Sequence, residues 1–551
     1  MRWLADLGAY GRFALGLRRF LTEKESLESA TARIRRNLSR REPHLLALLE
    51  HAVFANPRSP YLPLFRRAGC GLEDVRRLLG ERGVEGTLTT LRDAGVHVTF
   101  EEFKGRRPIV RDGREYPVHA RDFDYPQRTG WLHVETSGSS GRGTRVTHDL
   151  DFLRERTAHY LVGLVSYGVL DAPSALWRGL LPDPSGLNFA LMLARSGHPP
   201  ARWFTPTWHG RRSDRRLLKF RVAHLTVMLA SRAARAGIPW PELVQVDDAA
   251  RVAAWMADTL RQHGTCATFT VVSRAVRVAG EAIARGIDLT GATFVIAGEP
   301  ATPARVSAIR RSGARCMTAY GQVEAGRIGM GCRDAEAPDD VHVLADVCAV
   351  IASREGSAAE PLSALHLTVL APTAPKVLLN AELDDFGILE TKACGCPLGR
   401  LGLTTHLHNI RSVGKFTGEG VTLLESEMAH IVEEVLPRRF GGTAIDYQVL
   451  HEEDEQGMAR VTLLVSPDIP IQSDADILRT ALDALSHESL GAEAARQIWV
   501  QTGTLRVRRE HPRPTARGKL APVYRPVLNV GPDPRRRVED DPRQVPPGMR
   551  P

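Results

Sequence analysis

Apolar positions open the chain at helical spacing. Trp3, Leu4, Leu7, Phe13, Leu17, Phe20 and Leu21 alternate with Arg2, Arg12, Arg18 and Arg19, which predicts an amphipathic helix rather than a cleavable leader. The pattern stays helical to about residue 85, broken by Asn56-Pro57 and Ser59-Pro60. Residues 90–130 are mixed, with a β-like run over Val96–Phe100. From 131 to 400 short apolar strands alternate with helical stretches. Ala267–Val272 and Thr293–Ala297 read as strands and Pro303–Arg311 as a helix, the signature of an α/β domain. Beyond 412 the order becomes helix Glu425–Val435, strands Ile445–Leu450 and Ala459–Val465, helix Asp474–Leu485 and strand Gln497–Gln501, which predicts a small α+β domain. The expected organisation is a large N-terminal domain over 1–410 with a helical start over 1–85, a small C-terminal domain over 411–530, and a disordered Pro/Arg/Asp-rich tail over 531–551.

Composition narrows the class. A chain of 551 residues is too long for one ordinary core. Lys and Arg number 73 against 64 for Asp and Glu, so the net charge is only +9, and aromatics are 6%. No stretch interleaves basic and aromatic residues, which argues against nucleic acid and leaves small anions as the natural partners. The apolar runs are too short for a membrane span. Seven cysteines, an odd count without the spacing of a secreted scaffold, point to a reducing cytoplasmic setting.

The clearest chemical motif is Thr136-Ser137-Gly138-Ser139-Ser140-Gly141-Arg142-Gly143-Thr144-Arg145, which follows the strand-like Trp131–Glu135. Glycines admit close approach of a phosphate, amides and hydroxyls donate to its oxygens, and arginine offsets its charge. The spacing is not that of a Walker loop. Two later segments add to it. Phe294–Ala297 runs into the tight turn Gly298-Glu299-Pro300. In Thr318-Ala319-Tyr320-Gly321-Gln322-Val323-Glu324, Gly321 permits a turn, Tyr320 offers a flat face to a base, and Glu324 a hard oxygen to Mg²⁺. Separately, Cys332, His342, Cys394 and Cys396 supply the donors of a tetrahedral Cys₃His zinc site, or are ordinary buried thiols with a histidine. Cys70, Cys266, Cys316 and Cys348 read as core residues.

In order and spacing the three segments together resemble the adenylate-forming enzymes: acyl-CoA synthetases, firefly luciferase and nonribosomal peptide adenylation domains. The resemblance covers about residues 45–525. It extends to Asn380–Gly387, similar to the family's T-G-D-x-G, with Asp385 two residues before Gly387 and Asp384 as the fallback. It also takes in Arg411 at the hinge and Lys519 in a P-x-T-x-x-G-K context. The opening segment, where an early helix leads to an asparagine, a proline and a tyrosine (Asn56, Pro57 and Tyr61), and the stretch Thr318–Val347, with His342 and Asp346, look most like the phenylacetate–CoA ligase group. Some members of that group carry zinc on similarly placed residues, which implies a structural Zn²⁺ here.

The resemblance implies a large domain of mixed sheets flanked by helices, a small mobile lid, and activation of a carboxylic acid by ATP with release of pyrophosphate. It implies that the 136–145 loop holds the β- and γ-phosphates, Glu324 Mg²⁺, Tyr320 the adenine and Asp385 the ribose, while Lys519 bridges the reacting oxyanions. CoA is the implied acceptor. The hinge lacks the family's carboxylate, reading Arg411-Ser412-Val413-Gly414-Lys415, and Glu419-Gly420 replaces the usual Arg-Gly. An amine or a carrier-protein or protein thiol therefore stays open as acceptor, as does a non-catalytic nucleotide- or acyl-binding member of the fold. The acid pocket is expected among Trp177, Phe189, Trp203, Phe204 and Trp208, which serve equally well as core.

Overall fold

The computed structural model describes residues 16–126, 132–135, 145–181, 183–207, 215–353, 363–412, 415–454, 458–470, 473–486, 490–514 and 520–524. The expectations placed on Thr136–Thr144, Trp208, Val413, Gly414, Lys519 and the tail from Gly531 lie outside these residues.

Strands Cys266–Thr270 and Ala292–Ala297 are buried at every position. Runs of this kind need cover on both faces, which a parallel sheet between helix layers supplies. They sit in one half of a twelve-stranded sheet, in the order Pro241–Leu243, Arg202–Thr205, Ser174–Trp177, Cys266–Thr270, Ala292–Ala297 and Arg315–Gln322, all parallel. Helices such as Ser185–Arg195, Val272–Ala284 and Pro303–Arg310 make the crossovers. At Arg315–Gln322 the sheet changes sense. Gly326–Gly331, Val341–Val343, Thr405–Ser412, Ala381–Thr391, Ser363–Val369 and Cys348–Ala352 continue it antiparallel.

The seam between the halves is a bulged hairpin, with a register shift between Tyr320 and Gly321. A Cβ on Gly321 would stand 2.3 Å from the carbonyl oxygen of Gly326, so only glycine fits that turn. Helix Leu150–Ser166, capped by Asp149 accepting from Phe152 N at 2.8 Å, packs across the seam and against the N-terminal helix Leu27–Leu38.

A smaller α+β domain follows. Its sheet runs Leu505–Arg509, Ala459–Val465, Tyr447–Glu453 and Val523–Tyr524, covered by helices Asp474–Ser486 and Leu490–Thr502. Val449, Leu463, Ile477 and Trp499 share its core. Two local expectations fail. Gln497–Gln501, expected as a strand, lies inside helix Leu490–Thr502. Ile498 and Trp499 are both buried while Val500 is 60% exposed, a helical placement that period-two alternation cannot produce. Of the β-like run Val96–Phe100, only Val98 makes a bridge, to Ala381, and Phe100 begins a short helix capped by Thr99.

Candidate active site and metal centre

The carboxyl ends of the parallel strands, where ligands bind in open α/β sheets, meet the antiparallel half at Asp385. The Tyr320 hydroxyl donates to Asp385 Oδ2 at 2.6 Å and Gln322 Nε2 to the same oxygen at 2.7 Å. Ser412 Oγ donates to Oδ1. Tyr320 and Gln322 come from the seam strand, Asp385 and Ser412 from paired antiparallel strands. Asp385 is thus buried with a ring of donors, and Asp384 beside it takes a positive φ of 69°, part of an irregular stretch that aims its neighbour at the seam. Burial and the adjacent carboxylate push the Tyr320 phenol far above its ordinary range, so its hydroxyl stays a donor. Gln322 and Ser412 were not singled out from the sequence.

Glu324 sits in the turn of the same hairpin. It is 7% exposed and ion-paired with Lys104, whose ammonium also lies 5.4 Å from the centre of the Phe100 ring. Burial alone would raise its carboxyl pKa, but Lys104 overrides that and holds it below the ordinary range. An ionised, buried carboxylate is a fitting hard donor for Mg²⁺. Nothing in the spacing of Lys104 and Glu324, 220 residues apart, announces the pair.

The Gly298-Glu299-Pro300 turn has a structural duty as well. Gly298 adopts φ +94°, and the Glu299 carboxylate accepts from Ser273 N at 2.6 Å and Ser273 Oγ at 2.9 Å. It also accepts from the amide of Gly420. Glu419 is buried and accepts from Arg277 Nε at 3.0 Å. The Glu419-Gly420 corner is therefore fastened to the large sheet from two directions. Ala319 sits in the sheet interior, paired with Ala297 and Met330. Arg411 follows Ile410 on the strand edge and donates to Asp339 Oδ2 at 3.3 Å, which fixes it near Asp385 and Ser412.

On the far side of the seam the four soft donors come together. The ligand atoms of Cys332, His342, Cys394 and Cys396 all lie within 4.8 Å of one another. Cys332 Sγ–Cys394 Sγ is 3.8 Å and Cys394 Sγ–Cys396 Sγ is 3.3 Å. His342 Nε2 is 3.4 Å from Cys394 Sγ and 3.0 Å from Cys396 Sγ. Tetrahedral zinc with Zn–S of about 2.3 Å and Zn–N of about 2.0 Å requires edges of about 3.8 and about 3.5 Å, so modest expansion of the cluster would admit it. The imidazole is already oriented for this. Its Nδ1 faces Leu403 O at 2.6 Å, which fixes the proton there and leaves Nε2 as the free lone pair. Cys396 also accepts from the Gly399 amide at 3.4 Å, and a Cβ on Gly399 would meet Cys394 Sγ at 2.7 Å. The hydrogen bond from Cys332 pulls the Cys396 thiol well below the ordinary range of a cysteine, the direction that favours metal ligation.

Of the aromatic residues considered for the acid pocket, Trp177 and Trp203 are fully buried, their indole N–H groups bonded to Val244 O at 3.0 Å and Arg178 O at 3.2 Å. They are core. Phe189 alone among the described ones borders the seam helix, edge-on to Tyr160 at 5.1 Å. Cys266 and Cys348 are buried, and Cys70 and Cys316 half-buried.

No family model matches the sequence, and neither does any curated protein. Among solved structures, 2-hydroxyisobutyryl-CoA ligase in complex with 2-HIB-AMP and CoA, in the thioesterification state, aligns with a TM-score of 0.50 and 15% identity over 90% of this chain and 89% of that one. The amide bond synthetase McbA from Marinactinospora thermotolerans aligns with a TM-score of 0.38 and 14% identity over 90% and 98%. At 15% identity the likeness to the ligase is one of fold. Among the described residues no helix is long and apolar enough to cross a membrane.

Proposed function

We propose that this chain is an adenylate-forming ligase, which uses ATP to convert a carboxylic acid to an acyl-adenylate with release of pyrophosphate. The observation that carries the reading is the meeting on the buried Asp385 of Ser412 with Tyr320 and Gln322, whose hairpin carries Glu324 in its turn, at the carboxyl edge of a sheet of this fold. In the reaction the substrate carboxylate attacks the α-phosphorus of ATP, the bond from that phosphorus to the bridging oxygen breaks, and pyrophosphate leaves. Positioning and charge neutralisation supply the acceleration. Asp385 exchanges its present donors for the ribose hydroxyls, and the Tyr320 ring lies against the adenine. Gly298–Pro300 and Ala319–Gly321 border the base. The loop from Thr136 through Ser137, Gly138, Ser139, Ser140 and Gly141 to Thr144 and Arg145 holds the β- and γ-phosphates. Arg411 lies at the hinge, and Lys519 approaches the reacting oxyanions from the small domain. Glu324 is the residue that would hold Mg²⁺, whose charge offsets the phosphate oxygens when bound. Cys332, His342, Cys394 and Cys396 would hold a structural Zn²⁺, closed to substrate because all four positions are protein donors.

The acceptor we favour for the second half-reaction is the CoA thiol, on the resemblance to phenylacetate–CoA ligases, within a small-molecule, cytoplasmic role. The test is product analysis. With ATP, Mg²⁺ and a panel of carboxylic acids, AMP and pyrophosphate should form in equal amounts, and added CoA should be consumed. Formation of ADP and phosphate instead would contradict the reading.

A further inference from the structure

Among the described residues, three guanidinium groups lie over aromatic rings of the seam helix and its neighbour with no carboxylate paired to them. Arg156 and Tyr160 stand one turn apart on helix Leu150–Ser166. Arg327, on the strand after the hairpin, lies over the Tyr160 ring at 5.1 Å. Arg178, just past the carboxyl end of strand Ser174–Trp177, lies over Phe189 at 5.3 Å. Gly326 brings the Arg327 strand against Arg156, whose Cδ is 4.0 Å from where a Cβ on that glycine would be. Among the described residues, the Arg178 guanidinium donates only to the main-chain carbonyls of Thr270 and Ala297. Among the described residues, Arg156 and Arg327 have neither a hydrogen-bond nor an ion-pair partner beyond the aromatic faces of Phe152 and Tyr160, and the Nε of each is buried and unsatisfied. Arg327 is 8% exposed, while Arg156 is more open. The Tyr160 hydroxyl is likewise buried without a partner.

Such an arrangement is costly. A buried cation without an anion forfeits hydration that an aromatic face only partly returns. The strain registers on Arg156, where burial and then the charge of Arg327 bring the guanidinium down to about 10. Asp183, the acid whose charge reaches Arg178, is engaged with Ser185. Tyr160 and Phe189, the rings under Arg327 and Arg178, also border a small apolar cavity with Thr157, Met192 and Phe269 that has room for about one water-sized group. The groups left unpaired are five-donor forks matched to carboxylate, sulfonate or phosphate.

We infer that Arg156 and Arg327, with the Tyr160 hydroxyl, form the subsite for a second anionic group on the acid, so that the substrate class is acids carrying an anion besides the carboxylate that is activated. This inference rests on the adenylation reading for the identity of the first carboxylate. A site built this way discriminates strongly, because a monoanionic acid leaves the buried donors unmet.

The test is calorimetric binding to the full chain of matched acids: succinate, adipate and suberate against butyrate, hexanoate and octanoate. At least one diacid should bind about ten-fold or more tightly than its monoacid partner, the scale of one charge-assisted bond to a buried group. Arg156→Met with Arg327→Met should erase that gap while keeping or raising the melting temperature, since an unpaired buried charge is removed. Arg327→Lys should preserve much of it. Equal binding within every pair, or a gap that survives in the double variant, would overturn the inference. So would a double variant that loses ATP affinity instead, which would assign the arginines to the nucleotide. A diacid preference without acid-dependent pyrophosphate exchange would uphold the subsite and overturn the adenylation reading. Exchange that is as fast with monoacids as with diacids would do the reverse.

Discussion

The Tyr320 hydroxyl donates to Asp385 at 2.6 Å across the seam where the sheet turns from parallel to antiparallel. That bond joins the two segments assigned to adenine and ribose and makes each hold the other. Asp385→Asn keeps the shape but removes the charge-assisted acceptor, so it should raise the dissociation constants of ATP and AMP by about ten-fold each, the scale of one hydrogen bond to a charged group. Tyr320→Phe should cost less, because Gln322 and Ser412 still donate to the carboxylate. Equilibrium binding of the two nucleotides checks both. An unchanged AMP affinity in Asp385→Asn would remove Asp385 from the nucleotide site.

The metal centre gives a second expectation. Protein purified without added metal should contain about one zinc per chain. Cys394→Ser with Cys396→Ser should lose it and melt at lower temperature. Gly399→Ala is a subtler probe: its methyl would press on Cys394 Sγ at 2.7 Å, so zinc should be held more weakly with every ligand still present. Metal analysis after dialysis against a chelator reads both. Full retention in the double serine variant would dismiss the site.

Stability should fall with acidification through a window set by His366. Burial, then the neighbouring His97, depresses this imidazole from 6.5 to about 4. The unfolded chain takes up the proton near pH 6.5 while the folded chain does so only near 4, so folding free energy is lost as pH drops between those values and is unaffected by this group above them. His366→Phe should flatten that part of the stability–pH curve measured by denaturant unfolding. An unaltered slope would show that other groups carry it.

Much of the site was legible because it lies in short contiguous segments. Tyr320-Gly321 and Glu324 share one hairpin, and a turn that needs glycine leaves its mark in the sequence. The cysteine–histidine set could be named from donor chemistry, although only the fold brings Cys332 within 3.8 Å of Cys394. What escaped depends on distant pairing. Lys104 meets Glu324 across 220 residues, and Glu299 meets Gly420 across 121. Arg156 and Arg327 look like solvated charges in sequence, and only their unpartnered Nε atoms and their placement against the Phe152 and Tyr160 rings make them unusual. Gln497–Gln501 reads locally as a strand because Ile, Trp and Val favour strands, while packing in the small domain makes it helix.

The phosphate loop can be tested by comparing nucleotides. Ser139→Ala with Ser140→Ala should weaken ATP about ten-fold while leaving AMP nearly unchanged, because the loop is assigned to the β- and γ-phosphates. Equal weakening of both would mean general loop disruption.

The most direct measurement of the adenylation account is acid-dependent exchange of labelled pyrophosphate into ATP by the wild-type chain and by Lys519→Ala. The lysine is assigned to the transition state rather than to ground-state binding, so its loss should cut turnover more than affinity. Exchange should require a carboxylic acid, and Lys519→Ala should slow it by about 10²-fold or more, the effect of a few kcal/mol of positioned charge. ATP affinity should stay within a few-fold, and acyl transfer from preformed acyl-adenylate to CoA should run near the wild-type rate. Wild-type protein that exchanges no pyrophosphate with any acid, diacids included, while binding ATP would contradict the account and leave a nucleotide-binding protein of the same fold.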